Sequence, residues 1–160
     1  MNNYYYKVWL TAGYRFKNKK LVTKVLNVIY KFAIEIKKYK DFQIIHSGNS
    51  KVSKVSEKFC IEKLITSAWY PVHRENRIRL YNNRNENVLK YEKINIVLCF
   101  HDEIWKSKDS LSIILSVLNL NNNIPIYIFL ENESFILIRN ISEFEDYIDF
   151  AKLSNILKVF

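Results

Sequence analysis

Two arginine residues stand where this sequence could bind an anion. Arg15 lies in the stretch Gly13-Tyr14-Arg15-Phe16, directly after an apolar run, and Arg84 is followed by Asn85. The planar guanidinium group of arginine can hold phosphate oxygens through two parallel hydrogen bonds. We therefore interpret both arginines as candidate phosphate contacts, and a plain surface cation is the alternative for each.

The chain has only two glycines, Gly13 and Gly48, and each follows an apolar run and precedes a helical pattern. Glycine is needed where the backbone takes a positive φ or where a ligand comes close. Turns between strands and helices also offer backbone N–H groups to phosphates. The second turn contains Ser47, Asn49 and Ser50. Two glycines at equivalent turns therefore indicate a nucleotide-type pocket, and two tight turns without a ligand are the alternative.

Other polar and aromatic residues lie near the same predicted turns. Tyr14, Phe16 and Trp105 carry flat side chains that suit stacking on a base, and packing against the core is the alternative. Asn49 and Asn85 suit either the polar edges of a ligand or the capping of helices. The predicted ligand contacts are Gly13, Tyr14, Arg15, Phe16, His46, Ser47, Gly48, Asn49, Ser50, Arg84, Asn85, Asp102, Trp105 and Ser110.

Patterns that indicate catalysis or metal binding are weak. Asp102 and Glu103 suit acid–base chemistry or contacts to ribose hydroxyls, but catalysis by a carboxylate needs a perturbed pKa. No Ser-His-Asp or Cys-His set is recognisable, and Cys60 and Cys99 lie in apolar contexts without zinc spacing. The sequence therefore predicts no catalytic residue, no metal and no cofactor, and it favours buried, reduced thiols.

Alternating strands and helices must position these residues. Strand patterns cover 5–11, 42–46, 68–72, 94–100, 124–130 and 135–138, and helical patterns cover 21–37, 52–64, 83–91, 110–120 and 143–157. This alternation predicts an α/β fold, a Rossmann-like three-layer α/β/α sandwich with a mostly parallel sheet. The turns after parallel strands meet at one sheet edge, where such folds bind ligands. We therefore expect Arg15, Gly48 and Arg84 around one anion-accepting hollow.

Three local predictions concern the boundaries of these elements. Pro71 favours an edge position for the strand at 68–72, because proline has no backbone donor. The Arg- and Asn-rich stretch 73–87 predicts a loop that leads into a short helix. Ser142 and Glu145 fit a capping box at the start of the last helix.

Composition sets the class of protein. The 160 residues are 49% hydrophobic with a formal net charge of +9, which favours one domain with an anionic partner, although an AT-rich genome would also enrich lysine. The motif-bearing part covers about 5–130, and a strand and helix extension covers 131–160. No apolar run reaches the roughly 18 residues of a membrane span, and no signal peptide is recognisable. We expect a soluble, cytoplasmic protein without a membrane partner, whose last helix completes the core or serves a homo-oligomer.

Three short blocks resemble a known family when they are taken in order. The stretch 13–16 is similar to a Gly-Ser-Arg-x-Phe opening, 44–48 to a strand with a His-Gly-Gly turn, and 84–89 to an Arg-Asn-x-x-Met-Leu block. These blocks are typical of a small bacterial and phage domain-of-unknown-function family in the SLOG superfamily of Rossmann-like domains. The resemblance spans about 8–129.

The chain departs from that family at three places. Ser47 stands where the family has its first turn glycine, and Ser53 stands where it has an aspartate. The stretch 101–105 replaces a Pro-Gly-Gly-x-Gly-Thr phosphate loop and contains no glycine. The catalytic Arg and Glu arrangement of the related cytokinin-activating enzymes depends on that region, so its loss argues against hydrolase activity.

The resemblance implies a non-catalytic pocket for a nucleotide-derived ligand, such as an ADP-ribose derivative or a cyclic signalling nucleotide. SLOG domains are associated with sensing such ligands in bacterial defence, and a stand-alone domain fits sequestration by a phage anti-defence protein. One alternative is an enzyme that cleaves an N-glycosidic or phosphoribosyl bond with a carboxylate such as Asp102. Another is single-stranded nucleic-acid binding through the basic stretch 73–84 and neighbouring aromatic residues.

Overall fold

The computed structural model of the protein describes residues 4–48, 50–71, 77–120 and 123–157, with side chains from 80 onward in the third range and up to 154 in the fourth. The strands are β1 Tyr5–Ala12, β2 Asp41–His46, β3 Thr66–Trp69, β4 Ile96–Phe100, β5 Ile126–Phe129 and β6 Phe135–Ile138. The α-helices are α1 Lys19–Lys31, α2 Lys51–Lys63, α3 Arg77–Tyr91, α4 Lys108–Asn119 and α5 Ile141–Leu157. A π-helical turn at Phe32–Ile36 extends α1, and a 3-10 turn at Ile104–Lys106 precedes α4. None of these helices combines the length and the apolar character that crossing a membrane requires.

The six described strands form one sheet in the order β3-β2-β1-β4-β5-β6. The first five are parallel, and β6 runs antiparallel to β5. Val8 in β1 pairs with Ile44 in β2 on one side and with Ile96 in β4 on the other. The chain therefore builds outward from β1 to β3 and then returns to the other side of β1. This topology confirms the predicted Rossmann-like α/β class.

Two apolar cores cover the two faces of the sheet. Side chains alternate along each strand, so Leu10 lies in the core beneath α1 and α2, whereas Trp9 lies in the core beneath α3, α4 and α5. Every residue of β4 is buried, because helices cover both of its faces. The helix after β1 and the helix after β4 consequently lie on opposite faces of the sheet.

The stretch that separates β3 from β4 contains more helix than the sequence predicts. Helix α3 begins at Arg77, so 77–82 is helical where a loop was expected. Arg84, Asn85 and Val88 form the buried side of α3, and half-buried Leu80 and Tyr81 continue this side toward the start of the helix. Strand β3 lies at the sheet edge, as Pro71 predicts, but it covers Thr66–Trp69 rather than 68–72. Residues 72–76 lie outside the described residues.

The capping box of α5 starts two residues earlier than predicted. The side chain of Asn140 accepts from the backbone N–H of Glu143 at 2.9 Å, and the Glu143 carboxylate accepts from the N–H of Arg139 at 2.7 Å. Ser142 and Glu145 are both exposed. The prediction from Ser142 and Glu145 is therefore wrong, because asparagine caps helices as well as serine does.

Candidate functional site

A cleft opens where β1 and β4 end side by side. The N–H of Gly13 donates to the carbonyl of Phe100 at 2.9 Å. Beyond this bond the segments that follow β1 and β4 separate, because they lead to helices on opposite faces of the sheet. The order of the strands in the sheet reverses between β1 and β4, and open α/β sheets bind ligands at such a point. We call this space the switch-point cleft; it measures about 470 Å³. Its lining residues are Gly13, Tyr14, Arg15, Phe16, His101, Asp102, Glu103, Lys106, Ser107 and Glu131.

The imidazole of His101 packs directly against Gly13. A Cβ atom at residue 13 would lie 2.7 Å from Cδ2 of this ring, so the glycine permits close packing rather than a positive φ. The Nδ1 atom of His101 accepts from the N–H of Glu103 at 2.9 Å, which leaves the proton on Nε2. Burial lowers the pKa of His101, and the carboxylates of Asp102 and Glu103 oppose this effect only in part. A neutral, donor-bearing ring therefore forms one wall of the cleft.

Glu131 reaches across the switch-point cleft from the turn after β5. Its carboxylate accepts from the backbone N–H of Lys17 and from that of Asn18, the latter at 2.9 Å. The Asn18 side chain donates back to the carbonyl of Glu131 at 3.0 Å and also caps α1 through Leu21. Backbone N–H groups at the start of a helix form a favourable binding site for an anion. In this protein the Glu131 carboxylate occupies that anion-binding site.

The cleft carries charges of both signs. Asp102 accepts from the N–H of Glu131 at 2.8 Å, and Glu103 pairs with Lys106 at 2.5 Å. Arg15 is exposed and makes no ion pair with any residue that the structure describes. It is therefore a cation that a bound anion could recruit without breaking an existing pair.

Arg84 and Asn85 lie between α3 and α4 and do not line the switch-point cleft. Arg84 is 6% exposed, and its guanidinium pairs with Asp109 on α4 while two of its nitrogens donate to the Asn85 side chain at 2.7 and 3.0 Å. Asn85 donates in turn to Ser112 and Ser116. This network joins α3 to α4. The expected hollow shared by Arg15, Gly48 and Arg84 is not formed: Arg15 lines the switch-point cleft, Gly48 lines a different cleft, and Arg84 lines neither of the two.

Several other predicted contacts serve packing or capping. Phe16 is 4% exposed and meets the ring of Phe100 edge-on, so its faces lie in the core. Ser110 is buried and shares a 2.7 Å hydrogen bond with Thr11, and Trp105 packs beneath α4. Tyr14 is 84% exposed at the rim of the switch-point cleft. Of the predicted aromatic contacts, Tyr14 is thus the one most accessible to a ligand.

A second cleft lies between α2 and the edge strand β3. We call it the edge cleft; it measures about 780 Å³. Its lining residues are His46, Gly48, Ser53, Lys54, Glu57, Lys58, Ile61, Glu62, Ser67 and Trp69. Ser50 caps α2 by accepting from the N–H of Ser53 at 3.0 Å. Asn49, the other candidate cap of this turn, lies outside the described residues.

Gly48 and Trp69 form the rim of the edge cleft. Gly48 has a φ of +80°, and a Cβ atom there would lie 2.1 Å from Nε1 of Trp69. The indole Nε1–H donates to the carbonyl of Ser47 at 2.5 Å. The Ser47–Gly48 turn and the tryptophan ring therefore fix one another.

His46 and Glu57 form a hydrogen-bonded pair in the wall of the edge cleft. Burial raises the pKa of Glu57, but hydrogen bonds from His46 and Ser67 outweigh burial and lower it overall. The carboxylate is thus an acceptor for Nε2 of His46. The Nδ1 atom of His46 is buried and has no partner among the described residues. Sequence reasoning missed Glu57, although Ser53 and Glu57 lie on one face of α2 at a spacing of four. It considered Trp69 only as an aromatic residue beside the basic stretch 73–84.

No family model, curated protein or solved structure matches this chain. The resemblance to the SLOG superfamily therefore rests on three sequence blocks alone and stays a prediction. The first block lines the switch-point cleft, the second reaches the edge cleft, and the third lies in α3. Within the described part of the chain, no three His, Cys, Asp or Glu side chains group as metal ligands.

Proposed function

We propose that the protein binds a nucleotide-derived anion, such as an ADP-ribose derivative or a cyclic signalling nucleotide, in the switch-point cleft without converting it. One observation carries the proposal: the N–H groups of Lys17 and Asn18 hold the Glu131 carboxylate in the cleft that Arg15 also lines, and Arg15 has no ion pair with a described residue. Amides that hold a carboxylate also suit a phosphate, because both are oxyanions that accept from fixed donors.

A phosphate group would replace the Glu131 carboxylate in this anion-binding site. Arg15 is exposed and lines the same cleft, so its guanidinium can turn onto the phosphate in bidentate geometry. Glu131 would then act as an internal competitor that lowers the affinity for every anion equally. The backbone donors and Arg15, rather than this competition, favour ligands with a phosphate over ligands that offer only a neutral ring.

The remaining lining groups match a sugar and a base. The Asp102 and Glu103 carboxylates accept from ribose hydroxyls, and neutral His101 offers an Nε2–H donor. The exposed ring of Tyr14 at the rim suits stacking on a base. A volume of about 470 Å³ also lies in the range of roughly 300–1,000 Å³ that small-molecule sites occupy.

Hydrolysis receives less support than binding. Asp102 holds the backbone of Glu131 and Glu103 pairs with Lys106, so both carboxylates already have partners. A general acid in this cleft would need a carboxylate whose pKa is raised toward neutrality. Of the basic stretch 73–84, which nucleic-acid binding would use, residues 73–79 lie outside the described side chains, and Arg84 is buried against Asp109.

The experiment is a thermal-unfolding and calorimetric titration of the protein with ADP-ribose. Binding at about 100 times Kd should stabilise the fold by about 2.7 kcal/mol. Arg15→Ala should weaken binding at least about tenfold while the melting temperature without ligand stays unchanged. Lys20→Ala, which removes an exposed cation from α1 outside the cleft, is the matched control and should bind as the wild type does. Equal affinity of Arg15→Ala and wild type, or no binding at all, would overturn the proposal.

A further inference from the structure

We propose that the surface between α1 and α2 binds single-stranded nucleic acid, chiefly through the phosphate backbone. A groove of about 550 Å³ lies between these two helices. We call it the lysine groove; its lining residues are Lys19, Thr23, Lys51, Lys54, Val55, Lys58, Phe59 and Glu62. Four of its side chains are thus cations, and only one is an anion.

The positive charge of the protein is concentrated in the part of the chain that forms this surface. Residues 1–63 contain 14 Lys and Arg against 4 Asp and Glu, a net charge of +10, whereas residues 64–160 contain 11 against 12, a net charge of −1. The first part includes α1 and α2, the two helices that cover one face of the sheet. A genome that enriches lysine would enrich it along the whole chain. The segregation of charge therefore favours a polyanionic partner on this face.

The cations of the lysine groove are accessible to a ligand. Lys19, Lys51 and Lys54 are exposed and make no ion pair with a described residue. Lys58 has one long pair with Glu62, at 3.9 Å, and an exposed pair of this kind contributes little stability. Lys19 and Lys51 do not stabilise the helices that they begin, because a cation there opposes the helix dipole. Helix stability therefore does not explain why lysines occupy these positions.

Trp69 supplies a stacking surface beside the lysine groove. Lys54, Lys58 and Glu62 line both the lysine groove and the edge cleft, so this side of α2 borders both. Trp69 lines the edge cleft and is 65% exposed, and its indole is fixed by the Ser47 carbonyl. A strand whose phosphates contact Lys54 and Lys58 therefore has its bases beside the edge cleft, where one of them can stack on Trp69. Basic grooves with such aromatic side chains bind single strands without reading their sequence.

The shape of the lysine groove favours a single strand over broader polyanions. Packed helices lie about 8–10 Å apart, so the space between α1 and α2 admits one extended chain. A duplex or a membrane surface would contact only the lysines at the rim. The lysine groove shares no lining residue with the switch-point cleft, so this proposal does not depend on the proposed function.

The first experiment measures fluorescence anisotropy with a labelled oligothymidylate of about 12 nucleotides. We expect a Kd between about 1 and 100 µM at about 0.15 M salt. The double substitution Lys51→Ala and Lys54→Ala should weaken binding at least about tenfold. It should also reduce the magnitude of the slope of log K against log salt by about 1.4, because each phosphate contact to a single strand contributes about 0.7.

The matched control is the double substitution Lys93→Ala and Lys152→Ala. It removes the same charge from exposed positions outside the lysine groove, so the affinity and the salt slope should stay as in the wild type. Arg15→Ala should also bind oligothymidylate as the wild type does, because Arg15 lines only the switch-point cleft.

Two further probes separate bases from phosphates and single strands from duplexes. Inorganic polyphosphate carries phosphates without bases and should bind at least about fivefold more weakly than oligothymidylate. Trp69→Ala should remove this preference without changing the affinity for polyphosphate. A hairpin duplex with the same number of phosphates should bind more weakly than the single strand.

Several results would each overturn the proposal. They are no binding of oligothymidylate below about 1 mM, an equal loss in the Lys93 and Lys152 variant, loss of binding in Arg15→Ala, and equal or tighter binding of polyphosphate, of the duplex or of phosphatidylserine vesicles.

Discussion

The switch-point cleft and the edge cleft each contain a glycine against which an aromatic side chain packs, but the backbone conformations of the two glycines differ. At both turns the space that a Cβ atom would fill is taken by an aromatic ring of the chain, His101 against Gly13 and Trp69 against Gly48. Only Gly48 also has a positive φ. The comparison shows that a glycine at a strand-to-helix turn need not indicate a ligand at that point. It can instead admit a side chain that shapes the cleft beside it.

The two clefts also differ in how their polar groups are satisfied. In the switch-point cleft, Glu131 neutralises a pair of backbone donors that would otherwise attract an anion. In the edge cleft, Glu57 orients His46 through Nε2, and the buried Nδ1 of the same ring has no partner among the described residues. In the first cleft a carboxylate of the chain thus occupies the backbone donors, whereas in the second a carboxylate orients a histidine side chain. Three pairs of variants test how the two clefts differ.

The largest expected effect is a difference in the free energy of unfolding between alanine variants of the two glycines. Gly48→Ala should lower the free energy of unfolding by about 3 kcal/mol, because it combines a left-handed backbone with a clash against Trp69. Gly13→Ala meets only the ring of His101, which can rotate away, and should lower the free energy by about 1 kcal/mol. Urea unfolding followed by circular dichroism measures both values. Equal losses would mean that the positive φ of Gly48 has no energetic weight.

The sequence predicted the sheet and its order of elements because burial leaves a periodic trace. The apolar run at 94–100 predicted a strand, and the structure has β4 at Ile96–Phe100 with every residue buried. The helical spacing at 21–37 predicted α1, but its apolar stripe included Val28 and Ile36, which are exposed, and omitted Val22, which is buried. The partners of polar side chains leave no such trace. Glu131 lies 113 residues from Asn18, and Arg84 lies 25 residues from Asp109, so neither pairing follows from local spacing. Sequence reasoning therefore found the turns but could not tell which of their groups were already satisfied.

The next effect concerns the competitor in the switch-point cleft. Glu131→Gln keeps the size of the side chain but removes one of the two carboxylate acceptors, so the free energy of unfolding should fall by about 1 kcal/mol. The same change frees the N–H of Lys17 or of Asn18, and the affinity for ADP-ribose should rise about tenfold. Calorimetric titration at constant salt measures the affinity.

Glu133→Gln is the control for this change. Glu133 lies in the same turn and is exposed, and its side chain makes no hydrogen bond or ion pair with the described residues. Glu133→Gln removes the same charge as Glu131→Gln. If charge alone controlled binding, both variants would therefore raise the affinity for ADP-ribose equally. A selective rise in Glu131→Gln identifies competition for the anion-binding site; equal rises in both variants would contradict it.

The smallest effect is a difference in pH dependence between the two clefts. Burial lowers the pKa of His101 below its ordinary value of 6.5, so the unfolded chain binds a proton more readily there than the folded protein does. The neutral ring thus stabilises the fold above about pH 6.5, and this contribution is lost as the pH falls through the lower, folded pKa. His101→Asn should remove that part of the slope.

Glu57 acts in a lower window with the same sign. Burial raises its pKa, but the hydrogen bonds from His46 and Ser67 outweigh burial and place the pKa below 4.5. The stabilisation is present above about pH 4.5 and is lost as the pH falls through the folded pKa. Its size should stay below about 1 kcal/mol, since the side chain is 44% exposed and water screens the pair. Urea midpoints across the acid range, compared between each variant and wild type, should change first in His101→Asn and only at lower pH in Glu57→Gln. If both variants departed from wild type in the same window, the two clefts would not titrate independently.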